Sequence, residues 1–179
     1  MIKTTLLFSL VLLINANHIV LASDEQDYTK CGLHPKAIEL AKLIINDEEQ
    51  KRVKLTCNPL LAEIAADKAK EMADLGVVDH FGSKISANAR LREAGYPLRL
   101  VDDLGLKNQS EAVQGGFEYA DDAWFEFKTS YGHRIHLLGE HSFFLEQDEI
   151  GVGYYRKWES PHVDYWAVYV AKKEQKSQH

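Results

Sequence analysis

Cysteine and proline are scarce in this chain of 179 residues, at 2 and 4 respectively. Two thiols cannot build a cysteine-only zinc site, and no Cys-x-x-Cys pair is present. Basic charge is short as well: 21 Lys and Arg stand against 27 Asp and Glu, a formal net charge of −6. No run of Lys and Arg with interleaved aromatics appears except the short tail Lys172–Lys176, which also carries Glu174. That balance argues against the electrostatic footprint of a nucleic-acid-binding domain. No apolar run reaches the ~20 residues that a membrane-spanning helix requires. Also missing are a nucleophile-elbow serine, a zincin His-Glu-x-x-His helix, a phosphate-binding loop and an EF-hand spacing. Gly151-Val-Gly153 is half of a dinucleotide fingerprint, and it sits in a strand pattern rather than before a helix, so it carries no weight.

The amino terminus sets the expected compartment. Met1-Ile2-Lys3 is a short positive segment, Leu6–Ile14 is apolar apart from Ser9, and Val20-Leu21-Ala22 suits a cleavage site. The pattern is that of a cleavable export signal, residues 1–22, leaving 157 residues with no transmembrane anchor. Secretion or a periplasmic location follows as an expectation. In an oxidising compartment Cys31 and Cys57 suggest one disulfide across 26 positions. Two buried thiols are the alternative. Asn108-Gln109-Ser110 matches a glycosylation sequon.

One domain of ordinary globular composition is expected over residues 35–171, with 23–34 as an amino-terminal segment and 172–179 as a flexible tail. Pro35 opens a helix whose Ala37, Ile38, Ala41, Ile44 and Ile45 recur at helical spacing. Asn58-Pro59 opens a second, apolar along Leu61, Ile64, Ala65, Ala69, Met72 and Ala73 and ended by Gly76. Ser86 caps a third, stopped by Gly95, and Ala120–Lys128 is a fourth with Trp124 and Phe127 inward. Strand patterns come late: Ile150, Val152 and Tyr154 alternate with glycines, and Tyr165–Val170 has no polar position, as expected of a strand covered on both faces. Glu111–Gln114 is a weaker strand. The fold class is α+β, with helices on both faces of a small antiparallel sheet.

Chemistry-bearing side chains cluster near element ends. His80 follows the second helix, Glu111 opens the weak strand, and His133 lies in Ser130-Tyr131-Gly132-His133-Arg134. Two neutral imidazoles and a carboxylate form a three-ligand set for zinc with an open position for water. The same groups can equally hydrogen-bond one another and orient a cleft. His136 and His141 read as structural or surface groups, and Trp124, Tyr154 and Trp166 as core.

The order of these features resembles the CAP superfamily (cysteine-rich secretory proteins, antigen 5 and pathogenesis-related proteins), and more closely its bacterial SCP-domain branch. The pieces that carry the resemblance over Pro35–Ala171 are Cys57-Asn-Pro-Leu-Leu-Ala-Glu-Ile-Ala, His80, Arg92-Glu-Ala-Gly-Tyr96, Glu111, Trp124 with Ser130–Arg134, Glu149–Tyr154 and Tyr165-Trp166. The resemblance implies an α-β-α sandwich with a cleft lined by two histidines and two acids, three of which fall on His80, Glu111 and His133. It departs in three places: Glu111 precedes Ala112 rather than Asn, Phe127 replaces an acid with Glu126 one position short, and Trp124 lies nine positions before His133. A one-residue slip turns a helical side chain by about 100°, so Glu126 is expected to face solvent.

The function implied is an exported, non-enzymatic protein that binds a lipid or protein ligand through or near the cleft. An alternative is a metal-dependent hydrolase, with a divalent cation such as zinc on His80 and His133 and Glu111 as third ligand or base. A structural envelope protein is the remaining class.

Overall fold

In a computed structural model of the chain, residues 26–84, 86–101 and 108–175 are described. The expected export signal and the last residues of the expected tail, 176–179, lie outside them. The elements run α1 (Pro35–Ile45), β1 (Thr56–Cys57), α2 (Pro59–Leu75), α3 (Ala87–Glu93), β2 (Glu111–Gly115), α4 (Ala120–Thr129), α5 (Tyr131–Leu137), α6 (Ser142–Leu145), β3 (Glu149–Arg156) and β4 (Asp164–Ala171).

Helix starts follow side-chain chemistry. Asn58 accepts from the Leu60 and Leu61 amides with Pro59 at the first helical position, and Ser86 accepts from the Ala89 amide. These bonds satisfy amides that a helix cannot pair internally. At α1 the cap is His34, whose imidazole accepts from the Lys36 amide, ahead of Pro35.

Four strands form one sheet in the order β1-β3-β4-β2. β3 pairs antiparallel with β4 over eight residues, and β2 antiparallel with β4 over five. The expected all-antiparallel sheet needs one correction: β1 joins the edge parallel to β3 through Thr56 and Cys57. Two residues are too few for alternation to reveal a strand. The pairing is instead imposed by the Thr56 amide on the Asp148 carbonyl and the Asn58 amide on the Ile150 carbonyl.

Two cores lie on opposite faces of the sheet. Ile150, Val152, Tyr154, Trp166, Val168 and Val170 pack with α1, α4 and the start of the chain. Val113, Tyr165, Ala167, Tyr169 and Ala171 pack with α2 and α3. Every β4 residue is buried, as its unbroken apolar run predicts. On the second face β3 offers Gly151 and Gly153, and α2 lies directly on them. A Cβ at Gly151 would sit 2.2 Å from the backbone of Leu61 and Ala62, and one at Gly153 2.0 Å from the Ala65 carbonyl.

The domain begins before residue 35. Tyr28–Cys31 forms a 3-10 turn, and Cys31 is buried and joined to Cys57, with Cα atoms 4.5 Å apart. Gly32 bridges to Val152. At the other end Leu98 bridges Lys173, and the Glu174 amide bonds the Pro97 carbonyl, so the first part of the expected tail is held.

α5 and α6 meet over a buried guanidinium. All five Arg52 N–H groups are used: Nε and Nη2 donate to the Phe144 carbonyl at 3.1 and 2.8 Å, Nη1 to Leu137 O and Gln50 Oε1 at 2.9 and 3.0 Å, and Nη2 to His136 O at 2.7 Å. The cation thus receives carbonyls that helix ends leave unpaired.

Two outcomes test this packing. Gly153→Ala should lower unfolding free energy by about 3 kcal/mol in urea titrations, the upper end of overpacking costs, because helix backbone cannot yield as a side chain does. Opening the disulfide with Cys31→Ser plus Cys57→Ser should cost roughly 3–4 kcal/mol by the chain-entropy estimate in the same assay.

Candidate functional site

Four segments distant in sequence converge on one small cavity. It measures about 250 Å³ and is lined by His80, Asn108, Glu111, Ser130, His133 and His136, with Gly132, Ile135 and Phe144 closing it. The three side chains singled out from sequence therefore share one concavity. His80 arrives on the loop after α2, Glu111 is the first residue of β2, and His133 projects from α5.

Glu111 is the buried anchor. Its side chain is 0% exposed, against 37% for His80. Oε1 lies 2.7 Å from His80 Nδ1, and Oε2 accepts from the Tyr169 hydroxyl. The Asn108 Nδ2 group also lies 3.2 Å from Nδ1; the shorter contact to the Glu111 carboxylate, an acceptor, assigns the proton to Nδ1 and leaves Nε2 as the unprotonated nitrogen. Asn108 holds the approach to β2: its Oδ1 accepts from the Ser110 and Glu111 amides and its Nδ2 donates to the Glu111 carbonyl at 2.7 Å. The sequon asparagine is thus spent inside the cavity wall.

His133 is placed differently. Its Nδ1 is buried without a hydrogen-bond partner, and its ring meets Phe127 edge-on at 5.2 Å between centroids. The neighbour that Phe127 gives this imidazole is thus an apolar ring and not a carboxylate. Glu126 does not line the cavity and is half-buried. Burial, and then the nearby His80, pushes the His133 imidazole down to about 4. At neutral pH the cavity presents it uncharged.

His136, which sequence reasoning set aside as structural or surface, is buried and also lines the cavity. Its Nε2 donates to the Val170 carbonyl at 3.3 Å, and burial, with the Arg52 charge behind it, lowers it to about 3. Its position one helical turn beyond His133 was the available signal. Asn108 and Tyr169 carried no signal of their own, because a sequon points outward and Tyr169 reads as core. His141 caps α6 by accepting from the Phe143 amide. Trp124, Tyr154 and Trp166 are all buried in the core.

The three-ligand zinc set does not assemble. Both Glu111 oxygens are turned to His80 and Tyr169, and among the described residues no three His, Cys, Asp or Glu side chains are grouped so as to hold a metal ion.

A larger open groove, about 950 Å³, runs between α2 and α3. Its charges are already matched: Arg90 with Glu71, Lys70 with Asp74 and Lys84 with Glu93, each at 2.5 Å. His133, whose buried Nδ1 has no partner, lines the smaller cavity.

No family model matches the chain, and no curated protein matches it. Among solved structures it is similar to an outer surface protein from Borrelia burgdorferi. The TM-score is 0.57 at 15% identity, covering 76% of this chain and 88% of that one. At that identity the likeness concerns the fold, and it supports an α+β architecture. No helix among the described residues is long and apolar enough to cross a membrane.

The two depressed cavity histidines predict acid sensitivity, and His34, lowered by burial and then by Lys36, acts in the same direction. Both are neutral when folded and take up a proton near 6.5 when unfolded, so below that pH the unfolded chain binds more protons and stability falls. The loss grows by up to about 1.4 kcal/mol per pH unit for each group, until the folded groups protonate near 4 and 3. Burial works to raise Glu71, but Ser83 and Arg90 hold it down at about 2, which leaves the window from 6.5 to 4.5 to the imidazoles. Urea midpoints should drop steadily from about pH 7 to 4.5, less so in His133→Gln; a flat profile would contradict the assignment.

Proposed function

We propose that this chain is an exported CAP-type domain, built as the family's three-layer α-β-α sandwich, and that it works as a binding module. The cavity receives the small polar end of an amphiphilic ligand, a lipid headgroup being the best fit.

The carrying observation is the convergence of His80, Glu111 and His133 on one cavity with a buried, unpartnered His133 Nδ1. A ligand hydroxyl or amide would satisfy that nitrogen. At about 250 Å³ the space is below the 300–1,000 Å³ of pockets that engulf drug-sized molecules, so only part of a ligand enters. The neighbours of the lining residues suit the remainder: Phe81, next to His80, is 61% exposed, and Tyr131, next to Gly132, is 74% exposed. Exposed rings beside a polar pocket supply apolar contact for an acyl chain. The disulfide supports an oxidising compartment. A hydrolase reading finds less support, since both Glu111 oxygens are engaged by His80 and Tyr169 and no third ligand is grouped with the two imidazoles among the described residues.

The test is delipidated protein titrated with phospholipid micelles, followed by histidine NMR. Saturable shifts are expected at His80 and His133, with affinity reduced at least tenfold in His133→Ala. Shifts absent across neutral and anionic headgroups would overturn the reading. Micelle binding that survives His133→Ala unchanged would move the ligand away from this cavity.

A further inference from the structure

Beneath the cavity wall α2 carries a charged pair that the binding reading does not use. Lys68 is fully buried, which is rare for lysine and costly without compensation. Its Nζ donates to the Phe81 carbonyl at 2.6 Å and lies 3.7 Å from Glu71 Oε2. One turn along the helix, Glu71 accepts from the Ser83 amide at 2.6 Å through Oε1 and from Arg90 Nη2 at 2.5 Å through Oε2. Between those two backbone contacts the chain passes so close that a Cβ at Gly82 would stand 2.4 Å from the Glu71 carboxylate. The segment gripped in this way, Phe81–Ser83, directly follows His80.

We infer that Lys68 and Glu71 are positioning residues for His80: they clasp the backbone of its loop from α2 and so set the imidazole against Glu111. The inference rests on the reading of the cavity as a binding site. Three features support a role beyond filling the core. Both contacts to the loop are to backbone groups, so they fix its path whatever side chains it carries. The two side chains sit three residues apart on one helix, which spaces them to hold Phe81 and Ser83 at once. Glu111 is also the foremost of the charges that favour the buried Lys68 ammonium, so the cation that holds the Phe81 carbonyl, next to His80, also acts on the imidazole's carboxylate partner. The groups facing Lys68 are Glu71 on its own helix, Arg90 on α3, Glu111 on β2 and Asp79 on the loop.

The experiment reads His80 directly and needs no ligand. Long-range proton–nitrogen NMR of the full chain, labelled at histidine, reports which ring nitrogen is protonated. In the unaltered protein His80 should show Nδ1–H. In Lys68→Met, and independently in Gly82→Ala, where the added methyl displaces Glu71, His80 should shift to mainly Nε2–H as its bond to Glu111 is lost. His133 signals should stay in place, because Phe127 and α5 are untouched. Lys84→Met, which breaks the exposed Lys84–Glu93 pair nearby, should leave His80 unchanged.

A folded Lys68→Met or Gly82→Ala protein with His80 still Nδ1-protonated would overturn the inference. If Lys68→Met does not fold, Gly82→Ala decides alone. Unmoved His80 with normal micelle binding would remove only the positioning role. A shifted His80 in these variants, together with an unaltered protein that binds no micelle, would remove only the ligand reading.

Discussion

Helix α2 lies flat on the sheet because β3 has no side chain at residues 151 and 153. Helix backbone comes closer to those glycines than any side chain there would permit, and the depth of that contact fixes where everything else on α2 stands. Ala62, Ala65 and Ala69 fill the shallow space against the strands. Lys68 and Glu71 are thereby carried beneath the 80–83 loop, and Tyr169 from the same sheet face reaches Glu111. Raise the helix by one methyl layer and the loop, the imidazole and the carboxylate lose their common geometry. The close approach is a steric constraint first, and the site inherits its dimensions from it.

The cavity owes its electrostatic character to what each imidazole is given as a neighbour. His80 has a buried carboxylate, itself held by a tyrosine hydroxyl, so its proton and orientation are set. His133 has a phenylalanine ring and an unpartnered nitrogen, so its charged form is disfavoured. Two histidines in one cavity therefore play unlike parts, one a fixed donor pair with Glu111 and the other a neutral group lacking a partner. Both rings keep a lone pair, and what a cation would lack here is a third donor, because each Glu111 oxygen is already engaged.

Behind α5 the same economy appears with opposite charge. Arg52 carries a cation into the interior and is tolerated because every N–H meets a carbonyl or amide oxygen. Four of those five bonds go to main-chain carbonyls at the ends of α5 and α6, so the helix that bears His133 and His136 is fixed at its carboxyl end by a residue far upstream. The disulfide between Cys31 and Cys57 ties the start of the chain to the sheet edge in the same region of sequence.

Local chemistry was legible in the residues themselves. Caps at Asn58 and Ser86, prolines at Pro35 and Pro59, and the apolar run Tyr165–Val170 each act within a few positions, so helices α1–α4 and strands β3 and β4 could be read directly. β1, α5 and α6 could not, since two and four residues carry too little periodicity for β1 and α6, and α5 lacks the capping side chain that marks the equally short α3. His80, Glu111 and His133 could be named as candidates because imidazoles and carboxylates gather near element ends, yet nothing in their spacing shows that Tyr169, Asn108 and His136 join them. The sequence by itself determined which segments are helix or strand and which faces are apolar, because those follow from nearest-neighbour sterics and burial. Only the tertiary structure decided that Glu111 meets His80 at Nδ1, that His133 is buried against Phe127, and that Lys68 reaches the Phe81 carbonyl. Those properties depend on side chains that meet only after the sheet and helices close on one another.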